Sequence, residues 1–74
     1  MREKDLYREN LMMLREAFPH RNTLTVNEVA DWLSVTRRTV EYLIEKNRIP
    51  AINVGKGKYN VYRVTLEALA RFSS

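Results

Sequence analysis

Two short basic clusters contain the side chains of this 74-residue sequence that are best suited to binding phosphate groups. The first cluster, Thr36–Thr39, reads TRRT, and its hydroxyl and guanidinium groups can donate hydrogen bonds to phosphate oxygens. Arginine can also bind guanine through paired bonds to O6 and N7. The second cluster, Gly55–Lys58, reads GKGK and predicts a basic turn that contacts phosphates or enters a minor groove. The simpler interpretations are a solvated arginine pair and a turn whose lysines only keep an edge strand soluble.

A helix that begins at the first cluster has two faces of different chemistry. A helical wheel predicts that the following residues point inward: Val40, Leu43, Ile44 and Asn47. It predicts that Arg38, Tyr42 and Glu45 point outward, with Arg37 and Glu41 on the flanks. A glutamate at such a position can accept a hydrogen bond from cytosine N4.

The residues that we predict to contact DNA are Thr36, Arg37, Arg38, Thr39, Glu41, Tyr42, Lys46, Lys56, Lys58 and Arg63. Two alternatives stay open for members of this set. The glutamates of the helix can pair with neighbouring basic side chains instead of reading a base. Tyr42 can lie over the hydrophobic core instead of contacting a phosphate.

Strong capping signals precede the first cluster and define two short helices. Thr25 and Glu28 have the spacing of a capping box, in which each side chain bonds the backbone amide of the other residue. The apolar periodicity that follows predicts a helix over residues 26–33, and Leu24 can staple against Val29. Thr36 is the next predicted N-cap, for a helix over residues 37–46. Two short helices with a three-residue connection predict a helix-turn-helix, whose second helix enters the major groove of DNA.

The flanking segments complete the predicted fold. Apolar residues at helical spacing (Leu6, Tyr7, Leu11, Leu14 and Phe18) predict a helix over residues 2–17 that Pro19 ends, and its apolar stripe packs on the core or on a second copy. Residues 22–24 are interpreted as a lead-in. Strands over residues 51–54 and 59–64 form a hairpin whose four-residue loop uses glycines at positive φ, and Thr65 caps a last helix.

The predicted fold class is mainly α with a small β-hairpin, a winged helix-turn-helix with an extra N-terminal helix. The predicted division is an N-terminal extension over residues 1–22 and a DNA-binding domain over residues 23–74.

The excess of positive charge is confined to the last third of the sequence. The formal net charge is +4, yet residues 23–46 carry a net charge of −1. Residues 47–74 contain five basic side chains and a single acidic one, Glu67. A localised basic patch of this kind is typical of proteins that bind polyanions.

Composition argues against several other classes of protein. Cysteine is absent and His20 is the one histidine, so we expect no disulfide, no zinc site and no cofactor. No nucleophile constellation or phosphate loop is present, so we expect no enzymatic activity. No apolar run approaches the ~20 residues of a membrane span and no export signal is present, so we expect a cytoplasmic protein.

Three segments together resemble a known family. They read LTVNEVADWLSVTRRTVEYLI (Leu24–Ile44), IPAINVG (Ile49–Gly55) and YRV (Tyr62–Val64). The chain resembles the excisionase-type, MerR-like winged helix-turn-helix proteins over residues 23–72. Members include excisionases of phages and conjugative transposons and small transcriptional regulators.

The resemblance implies double-stranded DNA as partner, bound by the helix that begins at Thr36–Thr39. It also implies binding by the basic turn at Lys56–Lys58, which is the wing of such a fold. It also implies several copies bound side by side, a bent attachment site and a tyrosine-type integrase directed toward excision. Ser34 replaces the glycine usual in the turn, which we expect to be tolerated at negative φ.

The alternatives are a small transcriptional regulator of a phage or mobile element and a protein-interaction adaptor. Such an adaptor would use a degenerate winged helix and the N-terminal amphipathic helix as its docking surface. MerR-type activators carry a long C-terminal coiled coil, and its absence here favours the excisionase interpretation.

Overall fold

The N-terminal amphipathic segment forms helix α1 (Glu3–Ala17) in a computed structural model, which describes residues 3–73 and the side chains of residues 5–73. Residue 2, where we predict the helix to begin, lies outside the described residues, as do residues 1 and 74 of the two predicted domains. The helix ends two residues before Pro19, because the residue preceding a proline is disfavoured in the α region. Most of the predicted apolar stripe packs against the core, whereas Leu6 at its edge is exposed.

Helix α1 packs against the C-terminal helix of the chain. The buried residue Leu14 of α1 belongs to the same apolar cluster as Leu69 and Ala70. The Asn10 amide donates a hydrogen bond to the Ala70 carbonyl at 3.4 Å, and Arg15 lies 3.6 Å from Glu67. The apolar stripe of α1 is therefore part of the core of its own chain, one of the two predicted destinations.

The first helix of the helix-turn-helix is α2 (Val26–Leu33), and its predicted capping box is present. The Thr25 hydroxyl accepts a hydrogen bond from the Glu28 amide at 3.2 Å, and the Glu28 carboxylate accepts one from the Thr25 amide at 2.9 Å. Arg21 donates two further bonds to the same carboxylate, at 2.9 and 2.7 Å. These Arg21 bonds, followed by the bond from Thr25, lower the pKa of Glu28 from its usual 4.5 to about 2.

The turn after α2 corrects one expectation. Ser34 has φ 59° and ψ 43°, in the left-handed region, and so the expectation of a negative φ is wrong. This conformation lets Ser34 donate to the Asp31 carbonyl at 3.2 Å and Val35 donate to the Ala30 carbonyl at 3.0 Å. These bonds satisfy carbonyls that the end of a helix leaves unpaired. The tight turn therefore forces the serine into a conformation that normally favours glycine.

The second helix, α3 (Arg37–Glu45), begins after Thr36 as predicted and ends one residue earlier than predicted. Val40 and Ile44 are buried, which confirms the inward face of the wheel at these positions. Asn47 is exposed, so its predicted inward orientation is wrong. The physical reason is that Asn47 lies beyond the helix with φ 58°, where helical periodicity no longer applies.

The β structure is a three-stranded antiparallel sheet in the order β1-β3-β2. Its strands are β1 (Thr23–Thr25), β2 (Ile52–Asn53) and β3 (Tyr62–Thr65). The interpretation of residues 22–24 as a mere lead-in is wrong, because β1 pairs with β3 through Leu24 and Val64. Three residues show too little alternation to be recognised as a strand. The final helix, α4 (Leu66–Ser73), is capped by the Thr65 hydroxyl, which accepts from the Ala68 amide at 3.0 Å.

The hairpin strands are shorter than predicted, and an eight-residue segment, Val54–Val61, separates β2 from β3. The Asn53 side chain replaces part of the backbone hydrogen-bond ladder between the strands. Its oxygen accepts hydrogen bonds from the Gly55 amide at 2.9 Å and from the Val61 amide at 3.3 Å. We call β2, this segment and β3 together the basic hairpin.

The architecture is a winged helix-turn-helix with an added N-terminal helix, which confirms the predicted fold class. The sheet and the four helices share one apolar core. Its buried members are Leu14, Leu24, Val26, Val29, Ala30, Val40, Ile44, Ile49, Val64, Leu66, Leu69 and Ala70. Within residues 3–73, no helix has the length and apolar character needed to cross a membrane.

Candidate nucleic-acid interface

The start of α3 presents the first basic cluster to solvent. The Thr36 hydroxyl accepts a hydrogen bond from the Thr39 amide at 3.2 Å, and the two threonine hydroxyls lie 3.0 Å apart. All four residues from Thr36 to Thr39 are exposed. The N-terminal end of a helix carries partial positive charge, which favours phosphate at this position.

The outward face of α3 contains the side chains that sequence analysis placed there. Arg38, Tyr42 and Glu45 are exposed, so Tyr42 does not lie over the core. The Lys46 ammonium group lies 5.8 Å from the centre of the Tyr42 ring, within the range of a cation–π interaction. In the part of the chain that the structure describes, Arg38 has no ion-pair partner. Its guanidinium is therefore available to an external anion.

Arg37 is held by two neighbouring side chains. Its Nη1 donates a hydrogen bond to the side-chain oxygen of Asn27 at 3.3 Å, and its Nε lies 3.5 Å from the Glu41 carboxylate. The alternative in which Glu41 pairs with a basic neighbour is therefore realised in the unbound protein. An exposed pair of this kind is weak, so an external ligand can compete for either partner.

The loop of the basic hairpin exposes both lysines of the second cluster, Lys56 and Lys58. Gly57 has φ 64°, as predicted for a glycine of this turn. The same prediction is wrong for Gly55, whose φ is not positive. Gly55 is required for another reason: a Cβ atom there would clash with the carbonyl of Tyr59 on the returning chain.

A cleft of about 250 Å³ separates the start of α3 from the basic hairpin. Arg37 and Glu41 line one wall, and Val61 and the half-buried Arg63 line the other. Asn27, at the start of α2, also lines this cleft. The tertiary structure therefore brings two guanidinium groups that are far apart in sequence to the same side of the molecule.

Not every predicted residue lies at this cleft. Arg37, Glu41 and Arg63 line it, whereas the other members of the predicted set are not among its lining residues. Those others are exposed on α3, directly before or after it, or on the hairpin loop, and they are Thr36, Arg38, Thr39, Tyr42, Lys46, Lys56 and Lys58.

Three asparagines of this region have roles that were not predicted from the sequence. Asn27 holds Arg37, while Asn53 and Asn60 bond each other across the hairpin at 3.1 Å. The sequence signal for Asn53 and Asn60 is their position on either side of the glycine-lysine turn, where Asn side chains commonly bond nearby backbone. Asn27 has no comparable signal, since its partner lies on another helix.

The described residues contain no group of three or more histidine, cysteine or acidic side chains that could hold a metal ion. The features of this surface are a helix start with two arginines, a turn with two lysines, and the cleft between α3 and the basic hairpin.

Comparison with known proteins agrees with this geometry. The model of a family described as "Helix-turn-helix domain" matches residues 23–72, which span α2, α3, the basic hairpin and nearly all of α4. Neither the comparison with curated proteins nor that with solved structures gave a significant match. Because the family model covers more than half of the sequence, the chain belongs to the helix-turn-helix domain family of sequence-specific DNA-binding proteins.

Proposed function

We propose that this protein is an excisionase, an architectural protein that bends attachment-site DNA and directs a tyrosine-type integrase toward excision of a mobile element. The observation that carries the proposal is the cleft that Arg37 of α3 shares with Arg63 of the basic hairpin. With α3 in a major groove, a hairpin so close to it reaches the adjacent minor groove of the same duplex. A protein that holds two neighbouring grooves is suited to bend the DNA between them.

The two elements have different tasks in this proposal. Arg37, Arg38 and Glu41 of α3 supply sequence selectivity, since arginine and glutamate can read guanine and cytosine in the major groove. Lys56 and Lys58 of the basic hairpin supply salt-sensitive affinity through phosphates. This division follows from charge, because residues 23–46 have a net charge of −1 and cannot attract DNA strongly by themselves. The protein itself performs no catalytic step.

Footprinting on the DNA that flanks the gene tests the binding part of the proposal. We expect protected sites of regular spacing, as several copies bound side by side would give, and bending of the same fragment. An absence of binding to any duplex at low salt would instead favour an adaptor that docks on proteins.

An excision assay with the cognate integrase tests the recombination part. Deletion of the gene is expected to reduce excision strongly, and a variant with both Arg37→Ala and Arg38→Ala should not restore it. Unchanged excision, with altered output from a reporter at the bound promoter, would identify a transcriptional regulator instead.

A further inference from the structure

The basic hairpin has an apolar surface that none of its assigned DNA contacts uses. Ile52, Val54 and Val61 are each about half exposed, with relative accessibilities of 51%, 53% and 49%. Neighbouring apolar side chains that stay exposed in a small domain often mark an interaction site. We call these three residues the apolar face of the hairpin.

The strand register fixes the side of Ile52, and one backbone hydrogen bond beyond the strand ends extends the same pairing to Val54 and Val61. Ile52 is paired with Arg63 in the antiparallel ladder, and the Val54 amide donates to the Val61 carbonyl at 2.8 Å. Directly opposed residues of antiparallel strands point to the same side of a sheet, and alternate residues along a strand do so too. The side chains of Leu24 and Val64, one register position away, are buried on the opposite side, toward the core.

This side of the hairpin is continuous with the candidate DNA-binding surface. Val61 and Arg63 line the cleft whose other wall is Arg37 of α3. A duplex that contacts α3 and the lysine turn together would therefore meet the apolar face at Val61, its member that lines the cleft.

The charge around the apolar face favours a polyanion as its occupant. Lys56 and Lys58 lie at the tip of the hairpin, and Arg63 lies at its base. The one acidic residue of the last third of the sequence, Glu67, lies on α4 near Arg15, at 3.6 Å. Two copies that met face to face through this surface would bring like charges together, which opposes a symmetric dimer at this position.

We propose that the apolar face of the hairpin packs against deoxyribose and base edges in the minor groove and thereby produces the DNA bend. Apolar side chains that enter a minor groove unstack base steps and kink the duplex, while neighbouring cations hold the phosphates. This inference rests on the proposed function for the DNA site, and it assigns bending and affinity to different residues of one hairpin.

The test replaces the three apolar residues by threonine, in the variant Ile52→Thr/Val54→Thr/Val61→Thr. Threonine keeps the β-branched shape that suits a strand and adds a hydroxyl. The probe is a duplex of roughly 30 base pairs from the footprinted region, labelled at both ends so that energy transfer reports its bend. Affinity is measured on the same duplex over a series of salt concentrations. Lys56→Ala/Lys58→Ala is the comparison variant, and Met12→Gln, on the exposed side of α1, is the control for an exposed apolar residue elsewhere.

We expect the threonine variant to lose most of the bend and to bind about tenfold more weakly, with an unchanged salt dependence. The lysine variant should show a lower salt dependence and keep most of the bend once the duplex is saturated. Circular dichroism verifies that each variant is folded, and Val61→Thr alone serves as the milder variant if the triple substitution unfolds.

Three results would overturn the inference without touching the proposed function. A threonine variant that bends DNA like the wild type shows that the apolar face does not produce the bend. A variant that bends normally but binds with reduced cooperativity assigns the face to a second copy of the chain. A bend lost equally in both variants, each fully bound, shows that charge neutralisation produces it. By contrast, an unchanged excision frequency in the gene deletion overturns the proposed function and not the minor-groove contact.

Discussion

The Arg37 guanidinium is joined to the side-chain oxygen of Asn27 at 3.3 Å, so that the first turn of α3 is tied to the first turn of α2. Glu41 lies on another side of the same guanidinium, at 3.5 Å. A side chain already restrained in the free protein loses less conformational entropy when it binds a ligand. We therefore expect α2 to influence DNA recognition through Arg37.

A double-mutant cycle measures this coupling. Arg37→Ala is expected to weaken binding to the specific site by about 1–3 kcal/mol, the range for an arginine that contacts a base. Asn27→Ala should cost a smaller amount, about 0.5–1 kcal/mol, and should cost almost nothing when Arg37 is already alanine. Fluorescence anisotropy on the footprinted duplex gives the four affinities. Additive effects of the two substitutions would show that Asn27 acts independently of Arg37.

The lysine turn is expected to determine the salt dependence of binding. Each of Lys56→Ala and Lys58→Ala should lower the slope of log K against log salt by about 0.9, because each removes one phosphate contact. Sequence preference should change little, since phosphate contacts do not identify bases. The matched control is Arg8→Ala on the exposed side of α1, which removes the same charge away from the hairpin. Equal slopes for the lysine variants and the wild type would exclude phosphate contact by the turn.

The Arg21–Glu28 pair is expected to make stability depend on acid pH. The pKa of Glu28 is about 2 in the folded protein against a usual 4.5, so folding favours the charged carboxylate. This stabilisation is complete above about pH 4.5 and is lost as the pH falls toward 2. Urea denaturation over this interval measures it.

Glu28→Gln should flatten this dependence because glutamine does not titrate. Glu16→Gln, on the exposed side of α1, is the control and should keep the wild-type dependence. If the Glu28 variant loses stability with acid as steeply as the wild type, other carboxylates are responsible.

The contact between α1 and α4 is expected to be essential for stability. Leu14 is fully buried against α4, and Leu14→Ala should lower the free energy of unfolding by about 2–5 kcal/mol. A domain of this size has little stability to spare, so this variant should be partly unfolded at 37 °C. Met12→Ala, at a position 64% exposed on the same helix, should change stability by less than about 0.5 kcal/mol. Thermal unfolding followed by circular dichroism compares the two, and similar melting temperatures would refute a structural role for α1.

The left-handed serine in the turn offers a stabilising substitution. Ser34 has φ 59°, a conformation that is costly for residues other than glycine. Ser34→Gly should raise the free energy of unfolding by about 0.5–1 kcal/mol, since the relieved strain exceeds the entropy that glycine loses. Ser34→Val should lower it, because a β-branched side chain fits this region poorly. A glycine variant less stable than the wild type would mean that the serine side chain stabilises the turn.

Local rules of sequence determined the helix-turn-helix itself. The capping box of Thr25 and Glu28 and the N-cap at Thr36 set the two helix starts, because each involves a side chain and an amide only three residues apart. The inward positions Val40 and Ile44 followed from helical periodicity. The glycine-lysine turn was likewise predictable from its composition. Gly55, however, is needed for close packing against the returning chain and not for a positive φ.

Tertiary structure alone decided what depends on contacts distant in sequence. β1 forms because Leu24 pairs with Val64, which lies forty residues later in the sequence. Three residues considered alone show no preference for a strand. Asn27 became a neighbour of Arg37 only through the packing of α2 on α3. The left-handed Ser34 is set by the tight turn between those helices. Sequence thus determined which side chains could bind a phosphate, and the fold decided that Arg37 and Arg63 would share one cleft, since only chain packing sets distances between remote residues.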